Sequence, residues 1–267
     1  MKLSVIIVTF NHQKYLENCL ASLLKNLEAI NSEVIVVDNH STDGTTKRLK
    51  EIGKSKFKVI QNKKNLGFAK ACNQGIKKAK GRYLLLLNPD TQVNQEGLKK
   101  LMEFLDKNKE VACGAPQLLN PDKSLQYSIR RFPDFFTVIA RRTPLRRLSF
   151  VNKRNNFHIM KIISHHQTRE IDWALGSCLL VRKETFKKIG LFDEGFFVYC
   201  EDIDWFWRLK KAGLKAYYFP QTKIIHHHLA RSDKKLFSKE SYYHLKSIVY
   251  FFRKYWQEIL TGRYPEK

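Results

Sequence analysis

An open α/β fold, with a largely parallel sheet covered by helices on both faces, is what this sequence predicts. Three observations carry the prediction. Short runs rich in Val, Ile and Leu recur near residues 3–8, 33–38, 57–60 and 83–87. The segments between them have the 3.6-residue apolar spacing of helices. The runs themselves are almost continuously apolar, as strands buried on both faces must be.

Taken in order, Leu3–Val8 is a β-branched strand closed by Thr9 and Asn11, and Gln13–Leu24 aligns Leu16, Cys19, Leu20, Leu23 and Leu24 on one helical face. Glu33–Asp38 is the second strand, ending in Asp38-Asn39. Ser41, Thr42 and Asp43 are residue types that open helices, so a second helix is expected to begin there. A strand near Phe57–Ile60, a helix from Phe68 to Lys78 introduced by Asn65-Leu66-Gly67, and the strand Tyr83–Leu87 complete a Rossmann-like half over residues 1–115. Further on, Phe196–Tyr199 leads into a helical Trp205–Lys211, with Asp204 and Arg208 one turn apart, and Thr222–Ile225 is a strand-like run before three histidines. Lys235 to Tyr255 reads as a basic, aromatic, amphipathic helix that packs on the domain or rests on a membrane.

The chain has 267 residues, 43% of them hydrophobic and 28% charged, the balance of a soluble globular protein able to bury one substantial core. Neither a spanning segment nor a secretion signal is evident, so a cytoplasmic location is expected. Five scattered cysteines without a CxxC pair suggest buried free thiols rather than disulfides or zinc. The formal net charge is +24, and between Lys123 and Arg169 eleven Lys or Arg face one acid, Asp134. Such a field suits nucleic acid, an anionic membrane or a polyphosphate, or is simply a solvated surface. Arg141-Arg142 and Arg146-Arg147 alternate with Phe132, Phe135, Phe136, Val138, Ile139, Leu145, Leu148 and Phe150, a pattern closer to a membrane-facing surface.

The strand ends carry the candidate chemistry. Asn88-Pro89-Asp90 puts a carboxylate at the mouth of a buried strand, where a hard divalent cation is readily held; it also reads as a turn. Thr9, Asn11, Asp38 and Asn39 are placed for a nucleoside, while Gly67 in Asn65-Leu66-Gly67 allows close backbone approach. Each of these also serves a plain turn or cap. Glu201, Asp202 and Asp204 open a helix, where acids answer the dipole, and their crowding suggests a raised carboxyl on Asp202. His226, His227 and His228 alternate faces on an extended segment, so at most one can join a given metal site. There is neither GxGxxG after the first strand nor a Walker loop, which disfavours a dehydrogenase or P-loop NTPase.

Val5-Ile6-Ile7-Val8-Thr9-Phe10-Asn11, Val36-Val37-Asp38-Asn39, Asn65-Leu66-Gly67-Phe68-Ala69, Leu86-Leu87-Asn88-Pro89-Asp90 and Glu201-Asp202-Ile203-Asp204 resemble, in order and spacing, the family 2 glycosyltransferases of the GT-A fold. Gly114-Ala115-Pro116, Asn120-Pro121-Asp122, Arg131-Phe132-Pro133 and Gly176-Ser177-Cys178-Leu179-Leu180 resemble its rhamnosyltransferase-like branch. The resemblance implies a GT-A (Rossmann-like) mixed sheet flanked by helices over residues 1–230, with a nucleotide-sugar half (1–115), an acceptor half (116–230) and a C-terminal amphipathic helical tail (231–267).

The family pattern implies that Thr9, Asn11, Asp38, Asn39, Asn65, Gly67, Asn73, Asn88 and Asp90 bind the donor. Asp90, with His226, would hold Mg2+ or Mn2+, Asp202 would be the catalytic base, and Asp172, Trp173, Gly176 and Glu201 would line the acceptor. Asn88 stands where the family's first DxD aspartate is, which leaves that contact open. The implied activity is inverting, metal-dependent transfer of a sugar, rhamnose first among candidates, from a nucleotide-diphosphate sugar to a cell-envelope glycan or lipid-linked acceptor in a bacterium. Peripheral contact with an anionic membrane, on the inner face of the cytoplasmic membrane, is expected, and nucleic acid is not. The alternatives are a nucleotidyltransferase, whose glycine-rich loop is missing at Thr9-Phe10-Asn11-His12, and a degenerate relative that binds nucleotide sugar without turnover.

Overall fold

Alternate residues of a strand point to opposite faces, and here both faces are buried. The computed structural model describes every residue except 54–56, 135, 137–139, 141–146, 228–237, 262–263 and 266–267. Strands β1 (Leu3–Thr9), β2 (Ser32–Asp38), β3 (Lys58–Gln61) and β4 (Tyr83–Leu87) are parallel, in the order β3-β2-β1-β4. Val5, Ile7, Val36, Leu85 and Leu87 share a core with α1 (Gln13–Leu27), α2 (Thr45–Ile52) and α4 (Gln95–Lys107). Ile6, Val8, Ile35, Val37, Leu84 and Leu86 face the other way, onto α3 (Phe68–Lys78), α6 (Lys183–Ile189) and α7 (Glu201–Lys211).

The sheet continues past residue 115. β10 (Cys178–Arg182) lies antiparallel between β4 and β6 (Val111–Leu119), and β11 (Lys215–His226) runs parallel to β6. The short β5 (Thr91–Gln92) and β8 (Arg169–Glu170) pair antiparallel to β11. The expected mixed sheet is therefore present. Its consequence is positional: the carboxyl ends of β1, β2, β4, β6 and β11 share one edge with the amino end of β10. Off the sheet, β7 (Ile129–Arg130) and β9 (Trp173–Ala174) form a small ribbon with α5 (Ser149–His158) between them in the chain, and β9 packs on α7.

The bounds of α3 and β4 are those expected. Helix α2 differs, beginning at Thr45 rather than at residues 41–43. Ser41 Oγ accepts from the Asn11 amide, the Thr42 amide donates to Asn11 Oδ1, and Asp43 accepts from the amides of both Gln13 and Thr45. Those polar residues are spent on stitching the loop after β2 to the loop after β1. All five cysteines are free and buried. Among the described residues no helix is long and apolar enough to cross a membrane. Most of the basic, aromatic run, namely Phe135, Val138, Ile139, Arg141, Arg142, Leu145 and Arg146, lies outside the described residues.

The C-terminal helix, α8 (Lys239–Leu260), starts and ends later than the expected 235–255, with residues 235–237 outside the described set. Ser238 caps it by accepting from the Ser241 amide, and Tyr255 has non-helical dihedrals. Its inner stripe of Phe251, Tyr255 and Ile259 buries Phe196, Cys200 and Trp207. The fully buried Asp204 carboxylate pins the contact: Arg208 donates to Oδ2 at 2.9 Å, and Lys254 Nζ and the Tyr255 hydroxyl reach Oδ1 at 2.6 and 2.8 Å. Asp204 is thus neither a cap nor only an i,i+4 partner. Removing it leaves Arg208 without a carboxylate, Lys254 with Asp193 alone and the buried Tyr255 hydroxyl without its acceptor, so Asp204→Ala should lower the unfolding free energy in urea by about 3–5 kcal/mol. Tyr242→Ala, on the outer face of α8, should change it by less than about 0.5 kcal/mol.

Candidate active site

At the carboxyl ends of β1 and β2, several of the expected residues bond to one another and to the neighbouring loops. Asp38 is fully buried and its oxygens accept from the Ser41 amide and the Thr46 hydroxyl. Asn39 donates to Asn65 Oδ1 and to the Gly67 carbonyl, and accepts from Asn62 and the Leu66 amide. Asn65 also accepts from the Gly67 amide. Gly67 has φ +85°, and a Cβ there would lie 2.4 Å from the Phe197 carbonyl oxygen, to which the Phe68 amide donates at 2.6 Å. The close approach this glycine permits is thus made by the chain's own 196–200 segment. Asn73 holds the same segment lower down, bonding both the amide and carbonyl of Phe192. Thr9 differs from these, because its buried hydroxyl has no hydrogen-bond partner among the described residues. Asn11, at φ +57°, faces the 41–42 turn.

Asp90 follows the half-buried Asn88 and lies beside His226, with Oδ1 3.4 Å from Nε2. The bridge between β11 and β5 fixes this meeting: His226 pairs with Thr91, and the His227 amide donates to the Asp90 carbonyl. Gln126 sets the ring. Its amide nitrogen donates to the His226 carbonyl at 2.7 Å and to Asn120 Oδ1 at 2.8 Å, so its oxygen must face His226 Nδ1, 2.9 Å away. Nδ1–H then donates to Gln126, and a neutral ring turns the bare Nε2 toward a carboxylate oxygen. Two acceptors facing each other across a short gap are a place for a cation. Burial alone would raise the Asp90 carboxyl; when the ring instead carries both protons, Nε2–H donates to Asp90 and this contact and its charge, with His12 beyond, outweigh burial and hold the carboxyl below the ordinary value. Among the described residues no group of three His, Cys, Asp or Glu side chains surrounds one point, and Asp90 with His226 offers a metal two side-chain donors. That number suits Mg2+ or Mn2+ completed by phosphate oxygens and water. His227 instead lies against Tyr15 and Gln92, and His228 falls outside the described residues.

Asp202 opens α7 after Tyr199 and Cys200, both at positive φ. Its Oδ2 accepts from the Gly176 amide at 3.2 Å and its Oδ1 from the Ile203 amide at 2.9 Å. Burial pushes its carboxyl above the usual aspartate value, despite those amides and the nearby positive charge of Arg130. The cause is thus burial, not the like-charge crowding expected from the sequence. That crowding falls on Glu201, which is buried, has no hydrogen-bond partner for Oε2 among the described residues, and is raised well above the usual value by burial first and by Asp202 next. Asp202 is joined to the Asp90 turn by a short path: Gly176 donates to Asp202, and the next residue, Ser177, accepts from the Asn88 amide at 2.9 Å.

The expected acceptor residues brace α7 from behind. Asp172 pairs with Lys210 and accepts from the Phe132 amide, while the buried Trp173 donates from Nε1 to the Arg131 carbonyl at 2.8 Å. Sequence reasoning missed Gln126, Arg130 and the reach of Asp204, which depend on contacts between distant segments. The turn signal Asn120-Pro121-Asp122 was the one hint that the chain doubles back to place Gln126, whose amide bonds the Leu118 carbonyl.

The family model described as glycosyl transferase family 2 matches residues 4–190. The rhamnosyltransferase WbbL of Escherichia coli is 30% identical over 97% of this chain and 95% of its own length. The N-acetylglucosaminyl-diphospho-decaprenol L-rhamnosyltransferase of Mycobacterium tuberculosis is 28% identical over 84% of this chain and 76% of its own. Among solved structures, GalNAc-T7 with UDP, GalNAc and Mn2+ matches at a TM-score of 0.65 and 20% identity, covering 85% of this chain and 44% of that one. Staphylococcus aureus TarS 1-349 matches at 0.57 and 23%, covering 82% and 60% respectively. These two likenesses concern the fold, and this chain spans only part of either protein. With the fold, the ordered strand-end motifs and the family match in agreement, the chain belongs to glycosyl transferase family 2 and is a rhamnosyltransferase-like glycosyltransferase.

Proposed function

We propose that this chain transfers a sugar, rhamnose by likeness to its relatives, from a nucleotide-diphosphate donor to a hydroxyl of a cell-envelope glycan or lipid-linked acceptor, inverting the anomeric centre. Such an acceptor puts the enzyme at the inner face of the cytoplasmic membrane. The observation that carries the reading is the short path joining the half-buried, raised carboxyl of Asp202 to the Asp90–His226 pair through Gly176, Ser177 and Asn88.

Asp202 is the base. The amides of Gly176 and Ile203 hold its carboxylate in one orientation, and its raised affinity for protons suits it to take one from the attacking hydroxyl. Glu201, raised well above its usual value by burial and by Asp202, gives up its proton less readily than Asp202 does. Asp90 and His226 would hold Mg2+ or Mn2+, which when bound offsets charge on the departing diphosphate. Gln126 keeps the His226 ring turned for that task. The orphaned Thr9 hydroxyl supports a donor contact at the end of β1, and Asp38, Asn39 and Asn65 shape the loops around it.

Asp202→Asn should lower kcat by a factor on the order of 10² or more while leaving donor-nucleotide affinity by calorimetry nearly unchanged; unchanged turnover would remove Asp202 from the mechanism. As pH falls through the raised value, Asp202 gains a proton and can no longer accept one. The acid limb of kcat/KM should therefore lie above the ordinary aspartate range and decline toward acid. Gln126→Leu should weaken Mn2+ binding by about tenfold or more, read by the paramagnetic resonance signal of free Mn2+ without any turnover. Wild-type affinity in that variant would take Gln126 out of the site.

A further inference from the structure

Helix α8 has two apolar faces, and only one is used. Phe251, Tyr255 and Ile259 are buried against the domain. Tyr242, Leu245, Val249, Trp256 and Leu260 are each more than half exposed. Their three-, four- and seven-residue spacings put them on one outward stripe along the helix. Beside that stripe, at intervals of seven residues, lie the exposed Lys239, Lys246 and Arg253. None of these three cations enters an ion pair with a described residue. An apolar band flanked by a row of unpaired cations, with Tyr and Trp among its members, has the composition of a helix lying in a lipid headgroup layer.

The charge decides between occupants. With a formal net charge of +24, a second copy of this chain is repelled from a face that carries its own cationic row, whereas an anionic lipid surface is attracted to it. Position agrees. The first turns of α8 touch the segment that leads into Asp202, through Phe197 stacked on Tyr243 at 4.4 Å and Tyr199 against His244 at 4.7 Å. A bilayer on this face therefore meets the protein beside the candidate acceptor site.

We propose that the outward face of α8 is a docking surface for an anionic bilayer, with the apolar stripe at the boundary of headgroups and acyl chains and Lys239, Lys246 and Arg253 against the headgroups. The inference deepens the reading of a lipid-linked acceptor and rests on it for its purpose. Its test needs no sugar transfer, so the two can fail separately.

The full-length chain offers a direct probe, because Trp173, Trp205 and Trp207 are buried and Trp256 is the exposed one of its four tryptophans. The protein is mixed with vesicles of phosphatidylcholine alone or with phosphatidylglycerol, each also prepared with brominated acyl chains. The expected result is sedimentation with the anionic vesicles, bromine quenching that disappears in Trp256→Phe, and weakening of both by added salt. Leu245→Glu with Val249→Glu changes only exposed positions and should reduce vesicle binding about tenfold or more without altering the urea midpoint. Lys246→Gln with Arg253→Gln should reduce the preference for phosphatidylglycerol. Two results overturn the proposal. One is vesicle binding undiminished by the glutamate pair and without Trp256 quenching, which would place contact elsewhere. The other is no vesicle binding together with a concentration-dependent dimer that the glutamate pair dissociates, which would make the face an interface between copies.

Discussion

The antiparallel insertion of β10 into an otherwise parallel run is the constraint on which the rest of the site depends. A parallel strand in that position would deliver its carboxyl end to the active edge and its loop to the opposite one. Running the other way, β10 brings its amino end to that edge, so Gly176 and Ser177 arrive beside the end of β4. The backbone of those two residues then does the joining, with the Gly176 amide on the Asp202 carboxylate and the Ser177 carbonyl on the Asn88 amide. A candidate base from the second half and a candidate metal ligand from the first are linked by main-chain groups of Gly176, Ser177 and Asn88 that end on the Asp202 carboxylate.

The helix bearing Asp202 is fixed from three sides. Asp204 draws in α8 through Lys254 and Tyr255, while Arg208 reaches the carbonyl of Leu191 at 2.8 Å. Asn73 and Phe68 of α3 hold the 192–197 segment on the side of the first half. A buried carboxylate is costly unless its partners are complete, and here at least four donor groups surround one aspartate. The C-terminal helix is therefore tied directly to the helix that carries the candidate base.

Much of the scaffold was legible because it is periodic. The bounds of α3 and β4 follow from local apolar spacing, and the family followed from five short motifs in order, which the family match bears out. Where local and long-range demands competed, reading failed. Ser41, Thr42 and Asp43 are helix-opening types, yet their groups bond to the loop after β1, and the helix starts later. Asp204 looks like a first-turn acid in sequence, and only the return of the chain some fifty residues later makes it the hub of α8. Gln126 carries no motif; its part depends on a turn that brings it back along β6 to the last residue of β11. The raised carboxyl of Asp202 was anticipated with the wrong cause, because burial is not visible in a run of three acids whereas crowding is.

The proposed function turns on release of a nucleoside diphosphate from a sugar donor at this edge, helped by a divalent ion at Asp90 and His226. Nucleotide release from dTDP-rhamnose, UDP-galactofuranose, UDP-glucose, UDP-N-acetylglucosamine and GDP-mannose, each with Mn2+ or Mg2+ and with EDTA, tests it most directly. Release from one donor, dTDP-rhamnose first among them, that EDTA abolishes and added metal restores is the predicted result. Release that persists unchanged in EDTA, or the absence of both release and nucleotide binding across the panel in folded protein, would contradict it.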